Sequence, residues 1–338
     1  MPKLFLLDAY ALIYRAYYGL IKNPRINSRG ENTSAVFGFV RTLDEVLSKE
    51  QPTHIGVAFD PHGGTFRHKR YPDYKAQRDN TPEAISFGVP IIKKLLQAYR
   101  IPIIEVEDFE ADDVIGTLAT QADTLGIDTY MMTPDKDYGQ LVTEHVRMFR
   151  PRTMGPGFEV MGPAEVCKKW NIERTRQVVD MLGLMGDASD NIPGCPGVGE
   201  KTAATLIQQF GSIDNLLQHT DQLKGALQRK VVEGKEQILM SRWLAEIVCT
   251  VPIKLDMEAL KRQEPDTDAL NAIFADLEMR SLIRKDEPQT PASAPAQGRP
   301  AGKQPEIRPS TDTQQYLFGA EETIHGGGQA EAVESAAT

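Results

Sequence analysis

Residues 3–8 read KLFLLD, an apolar run that closes on a carboxylate. A run this short, unbroken and apolar is the pattern of a strand buried on both faces. Three more such runs follow, His54 to Phe59, Ile101 to Val106 and Asp128 to Met132. Helical patterns separate them: in Ala35 to Leu47 the apolar residues Val36, Phe39, Val40, Leu43, Val46 and Leu47 recur at helix spacing. Strand alternating with helix predicts an α/β fold, a mainly parallel central sheet with helices on both faces. Ligands of such sheets bind outside the carboxyl ends of the strands.

That edge is where the acids fall. Asp8 closes the first run and Asp60 the second; Glu110, Asp112 and Asp113 follow the third; Asp135 and Asp137 follow the fourth. Any one of these taken alone is an ordinary loop opener or helix cap. Seven acids at four successive strand ends repel one another unless a cation neutralises them, and an all-oxygen ligand set favours Mg²⁺ or Mn²⁺ over zinc. A pair of such ions suits phosphoryl chemistry without any other nucleophile. The six histidines form no ligand-spaced cluster, and G-x-S-x-G is absent.

The 338 residues, 41% of them hydrophobic, suffice for roughly two domains with a sizeable core. No leader pattern and no membrane-length apolar run is present, and three widely spaced cysteines, Cys167, Cys195 and Cys249, read as reduced thiols; a cytoplasmic protein without a membrane partner is expected. A net charge of -9 argues at first against a polyanionic ligand. From Asp286 onward, however, three Lys/Arg stand against eight Asp/Glu, so five of the nine negative charges belong to the tail. A body whose clustered carboxylates are neutralised by bound cations is then net positive. Three regions are expected: a catalytic core over 1–160, a helical region over 161–285, and a Pro-, Gly- and Ala-rich disordered linker over 286–338.

Two further segments stand out. FRHKRYPDYKAQR (66–78) sets Arg67, Lys69, Arg70, Lys75 and Arg78 among Phe66, Tyr71 and Tyr74, where cations can grip phosphates and rings can stack on bases. GCPGVGEKTAATLIQQFG (194–211) superficially resembles a nucleotide-binding P-loop, but Glu200 intervenes and no strand precedes it. The glycines instead permit a sharp turn that aims backbone N–H groups from the start of the next helix.

The motifs FEADD (109–113), TPDKD (133–137) and GDASDNIPG (186–194), with LLDAYALIYRA and AFD before them, resemble the acidic segments of the 5′ nuclease family. That family includes flap endonucleases and the N-terminal 5′ to 3′ exonuclease domain of bacterial DNA polymerase I. The resemblance covers about residues 3–285. It implies a PIN-like core, one metal among Asp8, Asp60, Glu110 and Asp112, and a second among Asp113, Asp135, Asp137, Asp187 and Asp190. It also implies a helical arch at about 62–100, in which Lys75 and Arg78, with Arg15 on the first helix, act on the scissile phosphate, and further DNA contacts from Arg67, Arg70 and Tyr74. Over about 190–211 it implies a helix-hairpin-helix that binds duplex DNA through Gly197, Gly199, Lys201 and Thr202, with K⁺ in its loop.

The function so implied is cleavage of 5′ flaps, nicked DNA and RNA primers in replication and repair, in the bacterial nucleoid and with a polymerase domain beyond the linker. QQYLF (314–318) resembles a peptide that binds the sliding clamp. Competing readings are a PIN-type ribonuclease, against which the arch and helix-hairpin-helix speak, and a catalytically silent binder of branched DNA. A haloacid-type phosphatase needs Asp-x-Asp on the first strand, and position 10 is Tyr.

Overall fold

The computed structural model describes residues 2–152 and 157–284. Six strands, β1 (Lys3–Asp8), β2 (His54–Ala58), β3 (Ile103–Ile104), β4 (Asp128–Met132), β5 (Val146–Pro151) and β6 (Phe158–Met161), form one sheet in the order β3-β2-β1-β4-β5-β6. The first five are parallel and β6 is antiparallel to β5. The order reverses direction at β1, so the crevice that a parallel sheet offers a ligand opens beside Asp8.

Side chains of β1 alternate between two buried cores, as strand geometry requires. Leu4 and Leu6 belong to the core under helix Ala111–Thr124, which continues into the helices Gln177–Met185, Glu200–Phe210 and Lys235–Ala245. Phe5 and Leu7 pack with helices Ser34–Lys49 and Glu83–Ala98. Every apolar residue that the spacing assigns to helix 34–49 is buried. Where this helix crosses the first, Ala9–Gly19, a side chain at Gly38 would meet the Ala16 Cβ at 2.7 Å, so the crossing needs glycine.

Three differences from expectation have local causes. The third strand shrinks to two residues because only its β2 side is paired, by Val57 to the Pro102 carbonyl and Phe59 to that of Ile104. The hairpin β5–β6 was not anticipated, since VRMFRP mixes arginines into its apolar residues and so gives no clean strand pattern. Finally, the chain beyond Ile247 returns to the nuclease core: Ile55 donates to the Leu260 carbonyl, and helix Thr267–Asp276 buries Leu270 and Phe274 beside helices 34–49 and 83–98. The expected helical region thus contributes its last part to the first domain's second face. Cys167, Cys195 and Cys249 are free thiols, and no helix of the described residues is long and apolar enough to cross a membrane. The 314–318 segment lies outside the described residues.

Candidate active site

Asp8 ends β1 and N-caps the helix that follows, accepting the Ala11 N–H at 3.1 Å. Its other oxygen accepts the hydroxyls of Thr133 and Tyr138, each at 3.2 Å. Asp60, just beyond β2, accepts the Ala111 N–H at 2.7 Å and so ties β2 to the start of helix Ala111–Thr124. Around that start, Glu110, Asp112 and Asp113 each offer a carboxylate oxygen, all within 4.8 Å of one another. Asp135 accepts the Asp137 N–H at 3.0 Å, and the buried Asp137 Oδ1 has no hydrogen-bond partner.

Asp187 and Asp190 come from a different part of the chain. Reciprocal bonds between Asp187 and Ile192, both 2.8 Å, close a loop after helix Gln177–Met185. Gly186, at φ 71°, and Gly194, at φ 63°, touch backbone to backbone there, leaving no room for a Cβ on either. Asp187 accepts from Lys136 and from Ser189, and Asp190 accepts from Tyr74 (3.3 Å) and Arg78. A cleft of about 300 Å³ is lined by Arg78, Asp135, Lys136, Asp137, Arg150, Lys169, Asp187, Ser189 and Asp190.

Charge is unevenly balanced across these groups. Burial, and next the charge of Asp60, pushes Asp8 up to about 7. Burial raises Asp60 and Asp135. It also drives Asp112 and Asp137 well above the carboxylate range, helped by Asp113 in one case and Asp135 in the other. Burial acts on Glu110 as well, but Lys75 and then Arg67 outweigh it and hold it below its ordinary value; Lys136 and Ser189 do the same for Asp187. At five carboxyls burial thus outweighs whatever cations lie near. An all-oxygen set with raised values and an unpartnered buried oxygen on Asp137 fits hard divalent cations.

The basic segment divides. Arg67 is 1% exposed: its guanidinium donates to Glu110 (2.9 Å), to both oxygens of Asp113 (2.7 and 2.8 Å) and to the carbonyls of Leu244 and Glu246. It is therefore not available to DNA as expected, but braces the acidic cluster. Asp113 is held in the same way, since it also accepts the Val248 N–H at 2.8 Å. Tyr74, 3% exposed, has no open face for a base and donates its hydroxyl to Glu110 at 3.0 Å.

Lys75 and Arg78 do reach the site. Lys75 Nζ lies 2.6 Å from Glu110 and 3.7 Å from Asp190, and its backbone takes φ 58°, a costly conformation for a residue with a Cβ. Arg70 stacks on Trp243 at 4.7 Å, and Arg15 donates to the Arg152 carbonyl at 3.3 Å. Helix Glu83–Ala98 buries Ile85, Ile92, Leu95 and Leu96, so the part of the expected arch between regular helices is 71–82, anchored to the core through Tyr74. Gly197 (φ 73°), Gly199 and Lys201 are exposed at the start of helix Glu200–Phe210, with Thr202 partly covered. Sequence reasoning missed Thr133, Tyr138 and Lys136, although Lys136 lies inside the TPDKD motif and Tyr138 directly follows it.

The chain matches the 5′-3′ exonuclease N-terminal, resolvase-like domain over residues 3–171 and the 5′-3′ exonuclease C-terminal SAM fold over 173–268. It belongs to the 5′-3′ exonuclease family. DNA polymerase I of Bacillus caldotenax is 40% identical over 287 residues, 84% of this chain and 32% of that relative. The chain thus spans about a third of the length of the relatives it matches. Among solved structures, a T5 5′-exonuclease with bound divalent zinc superposes with TM-score 0.60 at 20% identity, covering 82% of this chain and 98% of that one. The catalytic core of Rad2 in complex with DNA substrate superposes with TM-score 0.55 at 18% identity, covering 83% and 91%. At these identities the two structures establish the shared 5′ nuclease fold.

Proposed function

We propose that this member of the 5′-3′ exonuclease family is a structure-specific 5′ to 3′ exonuclease and 5′-flap endonuclease. Its substrates are DNA and RNA-primer phosphodiesters at the junction of a 5′ single strand with duplex. The observation that carries this reading is the gathering of carboxylates from four strand ends and the 186–194 loop at one edge of the sheet, where Lys75 pairs with Glu110 and Arg78 with Asp190. Two Mg²⁺ or Mn²⁺ ions would be held by Asp8, Asp60, Glu110 and Asp112 on the sheet side and by Asp113, Asp135, Asp137, Asp187 and Asp190 around the second ion. Such ions supply a hydroxide nucleophile near neutral pH and stabilise the attacking and leaving oxygens.

The protein's own residues do the positioning. Arg67 keeps Glu110 in place, Thr133 and Tyr138 orient Asp8, and Lys75 and Arg78, with Arg15, exchange their carboxylate or carbonyl partners for phosphate oxygens. The glycine turn at 194–199 binds duplex backbone, with K⁺ as its cation. A polymerase domain after the described residues, a sliding clamp bound through 314–318, and action in the nucleoid complete the proposal.

The test is single-turnover cleavage of a 5′-flap DNA labelled at its 5′ end. Cutting near the junction in Mg²⁺ and none in EDTA is expected. Tight flap binding with no turnover in Mg²⁺ or Mn²⁺ would instead make the protein a silent binder of branched DNA.

A further inference from the structure

Arg150 and Lys169 belong to none of the motifs above, yet both line the acidic cleft. Arg150 is brought there by the β5–β6 hairpin, where it pairs in register with Glu159, and Lys169 stands in the last turn of helix Pro163–Trp170. The other two cations of the cleft are already matched, Arg78 by Asp190 and Lys136 by Asp187. Arg150 is not matched in this way. Its side chain is only 16% exposed, its Nε is buried with no hydrogen-bond partner, and Nη1 finds only the Met161 sulfur at 3.7 Å and Glu159 at 3.8 Å. Among the described residues Lys169 makes no ion pair, and its ammonium is held below its ordinary value by partial burial and then by Arg150.

Two cations lining one cleft repel each other, and a largely buried guanidinium with only a long ion pair and a sulfur acceptor carries a desolvation cost. An anion with several oxygens removes both penalties at once, and the guanidinium fork matches a phosphate in particular. Resting on the nucleic-acid reading above, we propose that Arg150 and Lys169 form a second phosphate subsite, which grips a backbone phosphate of the cleaved strand other than the scissile one. They act as positioning residues: they fix the strand against the β5–β6 edge while Lys75 and Arg78 face the scissile phosphate.

The experiment is single-turnover flap cleavage in Mg²⁺ as a function of enzyme concentration and salt, with wild type, Arg150→Gln, Arg150→Lys and Lys169→Gln. Flaps carrying one neutral methylphosphonate are scanned through the phosphates around the junction. Each Gln variant should raise the half-saturating concentration about tenfold, leave the maximal rate unchanged, and lower the salt slope by about 1. Arg150→Lys should recover part of the affinity. One methylphosphonate position should weaken wild type and not the Gln variants, a signature that a merely structural role does not produce; Lys169→Gln reads the subsite even if Arg150→Gln fails to fold. If wild type cleaves but the variants keep its half-saturation and salt slope, the subsite is overturned and the nuclease reading stands. If wild type neither binds nor cleaves the flap, both fall.

Discussion

Asp8 and Asp60 are held by the backbone, whereas Asp187 and Asp190 are held by cationic side chains. The first pair sits at the ends of parallel strands, accepts N–H groups from Ala11 and Ala111, and has its values raised by burial. The second rides on a loop between helices and is matched by Lys136, Lys75 and Arg78. In the sheet half Asp8 and Asp60 thus make no ion pair among the described residues, although Glu110 is paired with Arg67 and Lys75, whereas in the loop half Asp187 and Asp190 are both paired with cations of the chain. A divalent cation gains most in the first half, and in the second it must compete with lysine and arginine. The asymmetry also separates rigidity from adjustability, because strand ends are fixed by the ladder while lysine and arginine side chains can swing to a phosphate.

The contrast can be broken most strongly at Asp112. Asp112→Asn should lower single-turnover flap cleavage by about 10²- to 10³-fold, and in EDTA it should raise the thermal midpoint, because it removes a carboxylate whose value burial and Asp113 push up. A fall in both would mean that Asp112 is structural. Next in size, Arg67→Ala leaves Glu110 and Asp113 buried without their brace and should destabilise the fold by about 3–5 kcal/mol in urea unfolding. Lys75→Ala, eight residues on and only 17% exposed, should keep most of the stability and lose about 10²-fold in maximal cleavage rate. Equal stability losses in the two variants would erase the distinction between brace and phosphate contact.

The smallest expected effect is on pH dependence. Asp8 titrates from 3.8 when unfolded to about 7 when folded, so the folded state binds its proton more tightly, and stability in EDTA should fall as pH rises from 5 to 7. Glu110 and Asp187 have lowered values and lose their contribution only below that window. Mn²⁺ should reverse the fall, and melting curves that are flat from pH 5 to 7 in EDTA would contradict the unbalanced sheet half.

Much of this was legible because strand ends are local in sequence. Asp8 closes one apolar run, Asp60 follows another, and Glu110 and Asp112 come a few residues after a third, and the parallel fold carries those ends to one edge. Burial of charged residues was not legible in the same way. Arg67 and Lys75 look alike within FRHKRYPDYKAQR, and only the carbonyls of Leu244 and Glu246, some 177 to 179 residues away, distinguish the brace from the site cation. The hold on Asp113 was hidden for the same reason, its partner Val248 being 135 residues distant. Arg150 reaches the cleft by an edge hairpin whose mixed polarity gave no strand signal, and the return of 253–284 to the core depends on long-range packing that no local period encodes.

The central claim, that the two halves bind divalent cations together and that the sheet half does so more tightly, is tested most directly by Mn²⁺ titration calorimetry on wild type, Asp112→Asn and Asp137→Asn. Two bound ions in wild type are expected, with loss of the tighter one in Asp112→Asn and of the weaker one in Asp137→Asn. No Mn²⁺ binding by wild type, or identical isotherms for all three proteins, would contradict it.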